Sequence, residues 1–522
     1  MRVSNQIPLE KIDLNVEFKR ALSFLEDSEK NVFIMGKAGT GKSTLLNYFK
    51  GTPQKKIAVL APTGVAAVNI KGQTIHSFFK FKPNVTLQSV KRLRKTKENQ
   101  KTIYQTLEAI IIDEISMVRA DLIDCMDKFL RLNGKSAQKP FGGIKMIFIG
   151  DLYQLPPVVS SKEKAIFKDH YQTPYFFSGR FFETFDMEMI ELEHVYRQKD
   201  QKFIDILNAI RNNSVTEEAL ERLNERVDRT FQPSEKDFYI YLVPTNAYAE
   251  SINEERLEHL KGKVYGFEGI ISGAFESTHL PTQRHLTLKV GAQVMMVNND
   301  ARGRWINGTI GKVLGIEKEG AIITELETGK VVEVLPYEWE LYKYFLNEGG
   351  IQSEVVGTFK QYPLKLAWAI TIHKSQGKTF NNAIIDVGNS VFVSGQTYVA
   401  LSRCTSLEGM ILKKPIEKKH IWTDYHIVKF VTQYQYDKSE QACSITDKIK
   451  LLKEAANRKQ PIRIVYLKAT DTKSKRTIIP LEVGDMDYRG KPFQGVIAYC
   501  LERKEERVFR VDRILQIEKE RE

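Results

Sequence analysis

Three groups of residues in this chain have the types and spacing to do chemistry on a phosphate. The first is Gly36-Lys37-Ala38-Gly39-Thr40-Gly41-Lys42-Ser43, followed by Thr44. Glycines in such a loop let backbone N–H groups converge on a β-phosphate, and a helix starting there adds a dipole that favours the anion. Lys42 is spaced to reach β/γ oxygens, and the Ser43 hydroxyl suits Mg²⁺. The second group, Asp113-Glu114, offers one carboxylate to the Mg²⁺ shell and one to orient and deprotonate water. The third is Gln154, just past Asp151, whose amide could sense a γ-phosphate. Alone, that glutamine would be an ordinary loop residue. Together the groups predict binding and hydrolysis of a nucleoside triphosphate.

These residues need strands to hold them. Asn31 to Met35 is an apolar run of strand length, and Thr44 to Phe49 has helical apolar spacing. Ile57 to Leu60, Ala109 to Ile112 and Met146 to Gly150 read as further buried strands, alternating with amphipathic helices. That alternation predicts a parallel α/β sheet over residues 1–185, with ligands outside the carboxyl ends of its strands. A second α/β pattern covers 186–264 and 358–435 and has no phosphate loop of its own. It opens with Glu191 to Gln198 and resumes with Leu364 to Gly377. Between them, residues 265–357 turn to short β runs with glycine punctuation, which predicts an inserted barrel. Its aromatic stretch, Tyr337 to Phe345, suits core packing better than base stacking. After a charged, aromatic linker near 413–439, a helix and short strands fill 445–522.

The chain has 522 residues and a net charge of +13, so an anionic partner is plausible, although charge alone would equally suit a soluble basic protein. With 42% hydrophobic and 27% charged residues, it has the composition of folded domains rather than of disorder. Its four cysteines, Cys125, Cys404, Cys443 and Cys500, lie far apart, which argues against a zinc site or a disulfide framework. No apolar run is long enough to span a bilayer, and the N-terminus lacks the core of a signal peptide. A cytoplasmic protein is expected. The basic run from Lys91 to Lys101 reads first as a solvated face.

The strings GKAGTGKS, APTGVAAVNIKGQTIHSFF, IIDEIS, GDLYQLPPV, LEHVYRQ, LKVGAQVMMVNND with NGTIG, LAWAITIHKSQGKTF and YVALSRC run in order from residue 31 to about 412. In this the chain resembles a superfamily 1 DNA helicase of the Pif (petite integration frequency) type, a relative of RecD. The resemblance implies an α/β fold of two RecA-like domains in tandem, with an SH3-like barrel inserted in the second and a wedge at about residues 70–85. It implies ATP and Mg²⁺ as cofactors, with Gly36 to Thr44, Gln154, Arg197, Gly377 and Arg403 around the nucleotide. Lys42 and Ser43 would bind phosphate and Mg²⁺, Asp113 would support Mg²⁺, Glu114 would activate water, and Arg197 and Arg403 would be arginine fingers. Thr63, Gly64, His76, Asn246, Thr371, His373 and Ser375 would contact DNA. Such small polar donors suit backbone contacts that carry no sequence information. The family also implies 5′-to-3′ movement on single-stranded DNA, unwinding of forked or structured DNA in replication, repair or recombination, and a monomer in isolation.

Two places depart from that pattern. The glutamine that reads adenine in the family is replaced by Phe18 in the matching stretch, with Gln6 as the alternative. The C-terminal segment lies outside the helicase core and resembles a WYL domain, a small SH3/Sm-like β module associated with ligand or nucleic-acid sensing in bacteria. Pro461 to Tyr466, Ala498-Tyr499-Cys500 and Val508 to Ile514 carry the likeness, while Phe493-Gln494-Gly495 replaces the naming tripeptide. Arg476, Arg503, Arg507, Arg510 and Arg513 would make its basic face, the alternative being a solvated surface with Arg513 in a structural ion pair. A nucleic-acid-stimulated ATPase that loads or senses without processive unwinding is the second reading of the whole chain. A regulator whose ATPase is ancillary is the third.

Overall fold

A computed structural model describes residues 15–519 except 27, 51–55, 83, 94–101, 160–162, 164–166, 168, 235–236, 277–279, 318–319, 348–349, 389–390, 392 and 469–471. Gln6 and most of the basic run after Leu93 lie outside the described residues. The chain divides into two compact units, residues 1–207 with 217–421, and residues 208–216 with 422–522.

The first unit begins with helix α1 (Val16–Glu26), strand β1 (Asn31–Gly36) and helix α2 (Lys42–Lys50). Next come β2 (Ile57–Ala61), α3 (Gly64–Asn69), β3 (Gln73–Thr74) and α4 (Ile75–Phe79). Strands β4 (Ala109–Ile112), β5 (Lys145–Gly150) and β6 (Met187–Leu192) complete a parallel sheet in the order β3-β2-β4-β5-β1-β6. Central strands covered on both faces read as unbroken apolar runs, and Ile110, Ile111 and Ile112 are all fully buried. Phe18, Leu45, Leu46 and Phe49 pack with Val32, Ile34 and Ile149 in one cluster, which clamps α1 and α2 onto the sheet.

The sequence pattern puts the boundary between the two α/β domains at 185/186, with Glu191 to Gln198 in the second. The structure instead pairs Met187 to Leu192 with β1, Asn31 opposite Met187 through Gly36 opposite Leu192. Without β6 the strand that carries the phosphate loop would be a bare edge.

The second α/β sheet is parallel and has four short strands, ordered Ala369–Thr371, Ile240–Val243, Ala383–Ile385 and Met410–Leu412. The insertion forms a five-stranded antiparallel sheet through Val331–Val334, Ile322–Leu326, Ile310–Ile316, Gln293–Met296 and Leu364–Leu366. Leu364 to Leu366 thus belong to the inserted sheet, pairing with Val294 to Met296, and the α/β pattern resumes only at Ala369. A long hairpin, Tyr337–Asn347 with Gly350–Gln361, joins Ile270–Gly273 in a separate sheet. Trp339 and Phe359 are buried and stacked, their centroids 5.6 Å apart, so this part of the aromatic stretch does pack a core. Further along, the Tyr344 hydroxyl accepts a hydrogen bond from Val59 N of β2 at 3.2 Å.

In the second unit, five antiparallel strands run Glu505–Arg510, Lys491–Cys500, Lys473–Tyr488, Ile462–Leu467, Ile514–Lys519. Leu452 and Ala455 of the helix Ile445–Arg458 cover Ile464, Val496, Ala498 and Phe509. Much of the stretch read as a linker is instead the helix Tyr425–Ala442, which belongs to this unit. Buried Ser439 ties it there, receiving a hydrogen bond from Lys448 Nζ at 2.7 Å and donating to Leu515 O at 2.7 Å.

Candidate ATPase site and nucleic-acid face

The phosphate loop leaves β1 and enters α2. Gly39 and Gly41 have φ of +82° and +84°, a region that side chains other than glycine's rarely occupy. Close approach adds a second reason: a Cβ on Gly39 would lie 2.5 Å from Cβ of Arg197. Lys42 Nζ donates to Gly36 O at 2.7 Å and Lys37 O at 2.9 Å, so the lysine braces its own loop. Desolvation lowers its pKa against the pull of Asp151, Glu114 and Asp113. The Thr40 hydroxyl donates to Lys37 O at 2.9 Å, which closes the turn.

Asp113 and Glu114 follow β4. Glu114 has φ of +51° and its N–H donates to Asp113 Oδ1 at 3.0 Å, which ties the Asp113 carboxylate to the Glu114 backbone. Burial raises both pKa values, and Glu114, with Asp113 beside it, is pushed to about 7. Gln154 is buried, and its amide donates to Asp151 Oδ2 at 3.1 Å. The hard oxygen donors of Ser43 and Asp113 suit Mg²⁺, and three carboxylates in the field of one lysine leave room for a cation.

The arginines arrive from elsewhere. Arg197 follows β6 and donates from Nη1 to Ser402 O at 2.9 Å. Arg403 is 1% exposed and donates to Val399 O, Lys378 O and Ser402 Oγ. Neither has a carboxylate partner among the described residues. Desolvation and the neighbouring Arg403 bring Arg197 down to about 9, and desolvation lowers Arg403 too. A buried and a half-buried cation that rest on neutral oxygens are what a polyphosphate would stabilise, so the residues present fit the nucleotide.

Three contacts that the motif spacing did not reveal join the domains here. Ala38 N–H donates to the Tyr398 hydroxyl at 3.0 Å. Gln376 Nε2 donates to Glu114 Oε2 at 3.3 Å. Gln198 Nε2 donates to Ser402 O and Cys404 O at 3.2 and 2.9 Å. Gln198, Gln376 and Tyr398 do lie inside the strings LEHVYRQ, HKSQG and YVALSRC, which is the signal that the sequence offers for them. Phe18 is 2% exposed and faces Gly41, where a Cβ would meet its ring at 3.2 Å, so it supports the loop.

The polar residues expected at DNA divide into two kinds. Thr63 caps α3, its hydroxyl accepting from Ala66 N at 3.3 Å, with Gly64 as the first helical residue. Thr245 caps the helix Asn246–His259 in the same way, accepting from Tyr248 N at 3.3 Å and leaving Asn246 exposed. The two sheets thus present equivalent strand-to-helix corners. His373 and Lys374 are exposed and His76 is half-exposed. Thr371 and Ser375 are buried and shape the turn instead: Thr371 Oγ1 accepts from Lys374 N at 3.2 Å, and Ser375 Oγ donates to Ile372 O at 2.7 Å. Gly377 has φ of +78° in that turn.

On the C-terminal sheet, Arg510 is engaged by Asp512 through two hydrogen bonds of 3.0 and 2.7 Å and lies over the Phe493 ring. Arg507 pairs with Glu505 at 3.1 Å at the exposed edge, Arg503 is exposed, and Arg476 and Arg513 are half-buried. The basic face is therefore partly neutralised from within.

Residues 14–221 match the PIF1-like helicase family, and residues 447–519 match the WYL domain. The chain is 33% identical over 418 residues to the ATP-dependent DNA helicase Pif1 of Bdellovibrio bacteriovorus, covering 78% of this chain and 90% of that protein. The chain belongs to the PIF1-like helicase family. A crystal structure of Bacteroides sp. Pif1 in complex with ADP-AlF4 matches with a TM-score of 0.76 at 38% identity, over 82% of this chain and 98% of that one. Bacteroides Pif1 bound to single-stranded DNA matches with a TM-score of 0.59 at 36% identity over the same shares. Unliganded Bacteroides Pif1 matches with a TM-score of 0.73 and the ADP-AlF3 complex with single-stranded DNA with 0.59, so the chain is more similar to the structures without DNA than to those with it. The chain carries two parallel α/β sheets, and the WYL domain lies beyond them in sequence. No helix among the described residues is long and apolar enough to cross a membrane.

Proposed function

We propose that this chain is an ATP-dependent DNA helicase that moves 5′ to 3′ on single-stranded DNA and separates forked or structured duplexes. The observation that carries the reading is the turn of residues 371–378. It displays His373 and Lys374 to solvent, while its Gln376 bonds Glu114 and its Lys378 carbonyl accepts from Arg403. One loop thus touches the water-activating carboxylate and an arginine finger, so a strand gripped on its outer side bears directly on hydrolysis. The Bacteroides relative bound to single-stranded DNA supports that choice of partner.

ATP with Mg²⁺ supplies the scissile γ-phosphate and the electrophilic metal. Ser43 and Asp113 are the residues to hold the metal. Glu114 takes a proton from the attacking water, and Gln154 orients on the γ-phosphate side. Lys42, Arg197 and Arg403 offset the charge that builds on the transferring group. Arg197 already stands against the phosphate loop, but Arg403 follows a helix of the second α/β domain, so charge stabilisation is complete only when the two domains close. Thr63, Gly64, His76, Asn246 and His373 give alternating grips along the strand, with Thr371 and Ser375 shaping one of them. The WYL domain, through Arg476, Arg503 and Arg513, assists DNA binding or tunes coupling. The chain acts as a monomer in isolation and works in the cytoplasm.

Forked DNA with a 5′ or a 3′ single-stranded tail tests this directly. Strand separation on the 5′-tailed fork alone, lost in Lys42→Ala, is the expected result. ATP consumption with the duplex intact would instead mean a loader or sensor.

A further inference from the structure

Lys378 is not among the residues that the family motifs assign, yet it is the meeting point of three elements. Its Nζ donates to Asn307 Oδ1 at 2.6 Å. Asn307 comes from the NGTIG loop of the insertion, held by its N–H to Asn299 Oδ1 at 2.8 Å, and its Nδ2 donates to Asn69 Oδ1 at 3.3 Å. Asn69 ends α3, the helix that Thr63 begins. The Lys378 stem passes over Gly308, where a Cβ would meet it at 3.5 Å in ordinary contact.

The charges around it do not balance. Lys365, in the strand Leu364–Leu366, lies close enough to Lys378 for the two ammoniums to repel, and Lys374 repels Lys365 in turn. Desolvation and this repulsion bring Lys365 and Lys378 to about 8, and only Glu250, acting on Lys365, opposes it. None of the three lysines makes an ion pair among the described residues. Half-buried, unpaired ammoniums are costly unless something anionic completes them.

We propose that Lys365, Lys378 and Asn307 form a binding site for one phosphodiester of single-stranded DNA, a contact additional to those of the family motifs. The two ammoniums supply charge, and the Asn307 amide fixes where the phosphate sits. The site rests on the reading of the chain as a DNA-binding motor. It follows that the same residue grips DNA with its side chain and holds Arg403 through its carbonyl, so DNA occupancy reaches the finger without an intermediary.

The test is fluorescence anisotropy of a labelled oligothymidylate with the full chain, read as log affinity against log salt. Each phosphate contact to a single strand contributes a slope of about 0.7. Lys378→Met and Lys365→Met should each lower the slope, and the double variant by about that amount because the two share one phosphate, while Lys378→Arg keeps the wild-type slope. A melting midpoint at or above wild type verifies that the methionine variants are folded, since they remove an unpaired charge. Wild-type slopes in both methionine variants overturn the site. Inorganic phosphate should compete for the wild type no better than its ionic strength predicts; specific displacement at low concentration would make this a free-phosphate site and overturn the DNA assignment. If the wild type itself binds DNA without salt dependence, the motor reading fails, a result distinct from failure of this site.

Discussion

The Tyr398 hydroxyl accepts a hydrogen bond from the Ala38 N–H at 3.0 Å, which fastens the second α/β domain to the phosphate loop of the first. Tyr398 is 4% exposed, on the same short helix, Gln396–Leu401, that leads into Ser402 and Arg403. Its position is therefore a measure of where the finger stands relative to the loop.

Tyr398→Phe keeps the ring and removes the acceptor. One hydrogen bond is worth about 1 kcal/mol, or roughly fivefold. The DNA-stimulated kcat should fall by about that factor, while affinity for single-stranded DNA stays within twofold. Single-turnover hydrolysis separates this from product release. An unchanged single-turnover rate would show that the contact is incidental to closure.

Gly395 precedes that helix with φ of +74°, and a Cβ there would lie 2.4 Å from Tyr153 O and 2.6 Å from Gln154 O. Both obstacles are backbone, so nothing flexible can give way. Gly395→Ala should push the finger helix away from Gln154 and cut kcat at least tenfold, with DNA binding largely kept. Strain of about 1–3 kcal/mol is ample for this. Loss of hydrolysis and DNA binding together would mean unfolding, and wild-type kcat would mean that the two domains adjust freely.

The loop Gly36 to Ser43 and the pair Asp113-Glu114 were legible in sequence because each is local: strand, turn and helix follow within a dozen residues. The contacts that turn them into a two-domain site were not. Ala38 and Tyr398 are 360 positions apart, Glu114 and Gln376 262, and Asn307 and Lys378 71. Spacing carries no information at such separations; only the closed sheets bring these residues together. Ser375 shows the reverse limit. Its hydroxyl suited a phosphate by type, yet the turn it stabilises consumes that hydroxyl. The boundaries at Met187 and Leu364 were missed for a related reason, since strand partners decide which sheet owns a strand.

With Glu114 as the proposed base, the reaction takes its pH dependence from this carboxyl. Burial and Asp113 push its carboxyl up to about 7, and only the ionised form can accept a proton from water. As pH falls below 7, the ionised fraction falls about tenfold per unit, and kcat/KM for ATP falls with it. Above 7 the profile should flatten. Measured at saturating single-stranded DNA, the acid limb should lie near 7 in the wild type, and Glu114→Gln should abolish hydrolysis at every pH while ATP still binds. A limb near the ordinary carboxylate range would mean that another group limits the rate.

Gln376 then becomes a way to move that limb. Its amide donates to Glu114 Oε2 at 3.3 Å, and a donor to a carboxylate favours the charged form. Gln376→Ala removes the donor, so Glu114 should hold its proton more tightly and the acid limb should shift to higher pH. The same change cuts the link between the turn of residues 371–378, proposed to grip DNA, and Glu114, so the ratio of DNA-stimulated to basal hydrolysis should drop at least fivefold. A merely structural glutamine would change stability and leave both the limb and the ratio in place. Parallel pH profiles with and without oligothymidylate distinguish the two. The upward shift should appear in both profiles, and the lost stimulation only in their ratio.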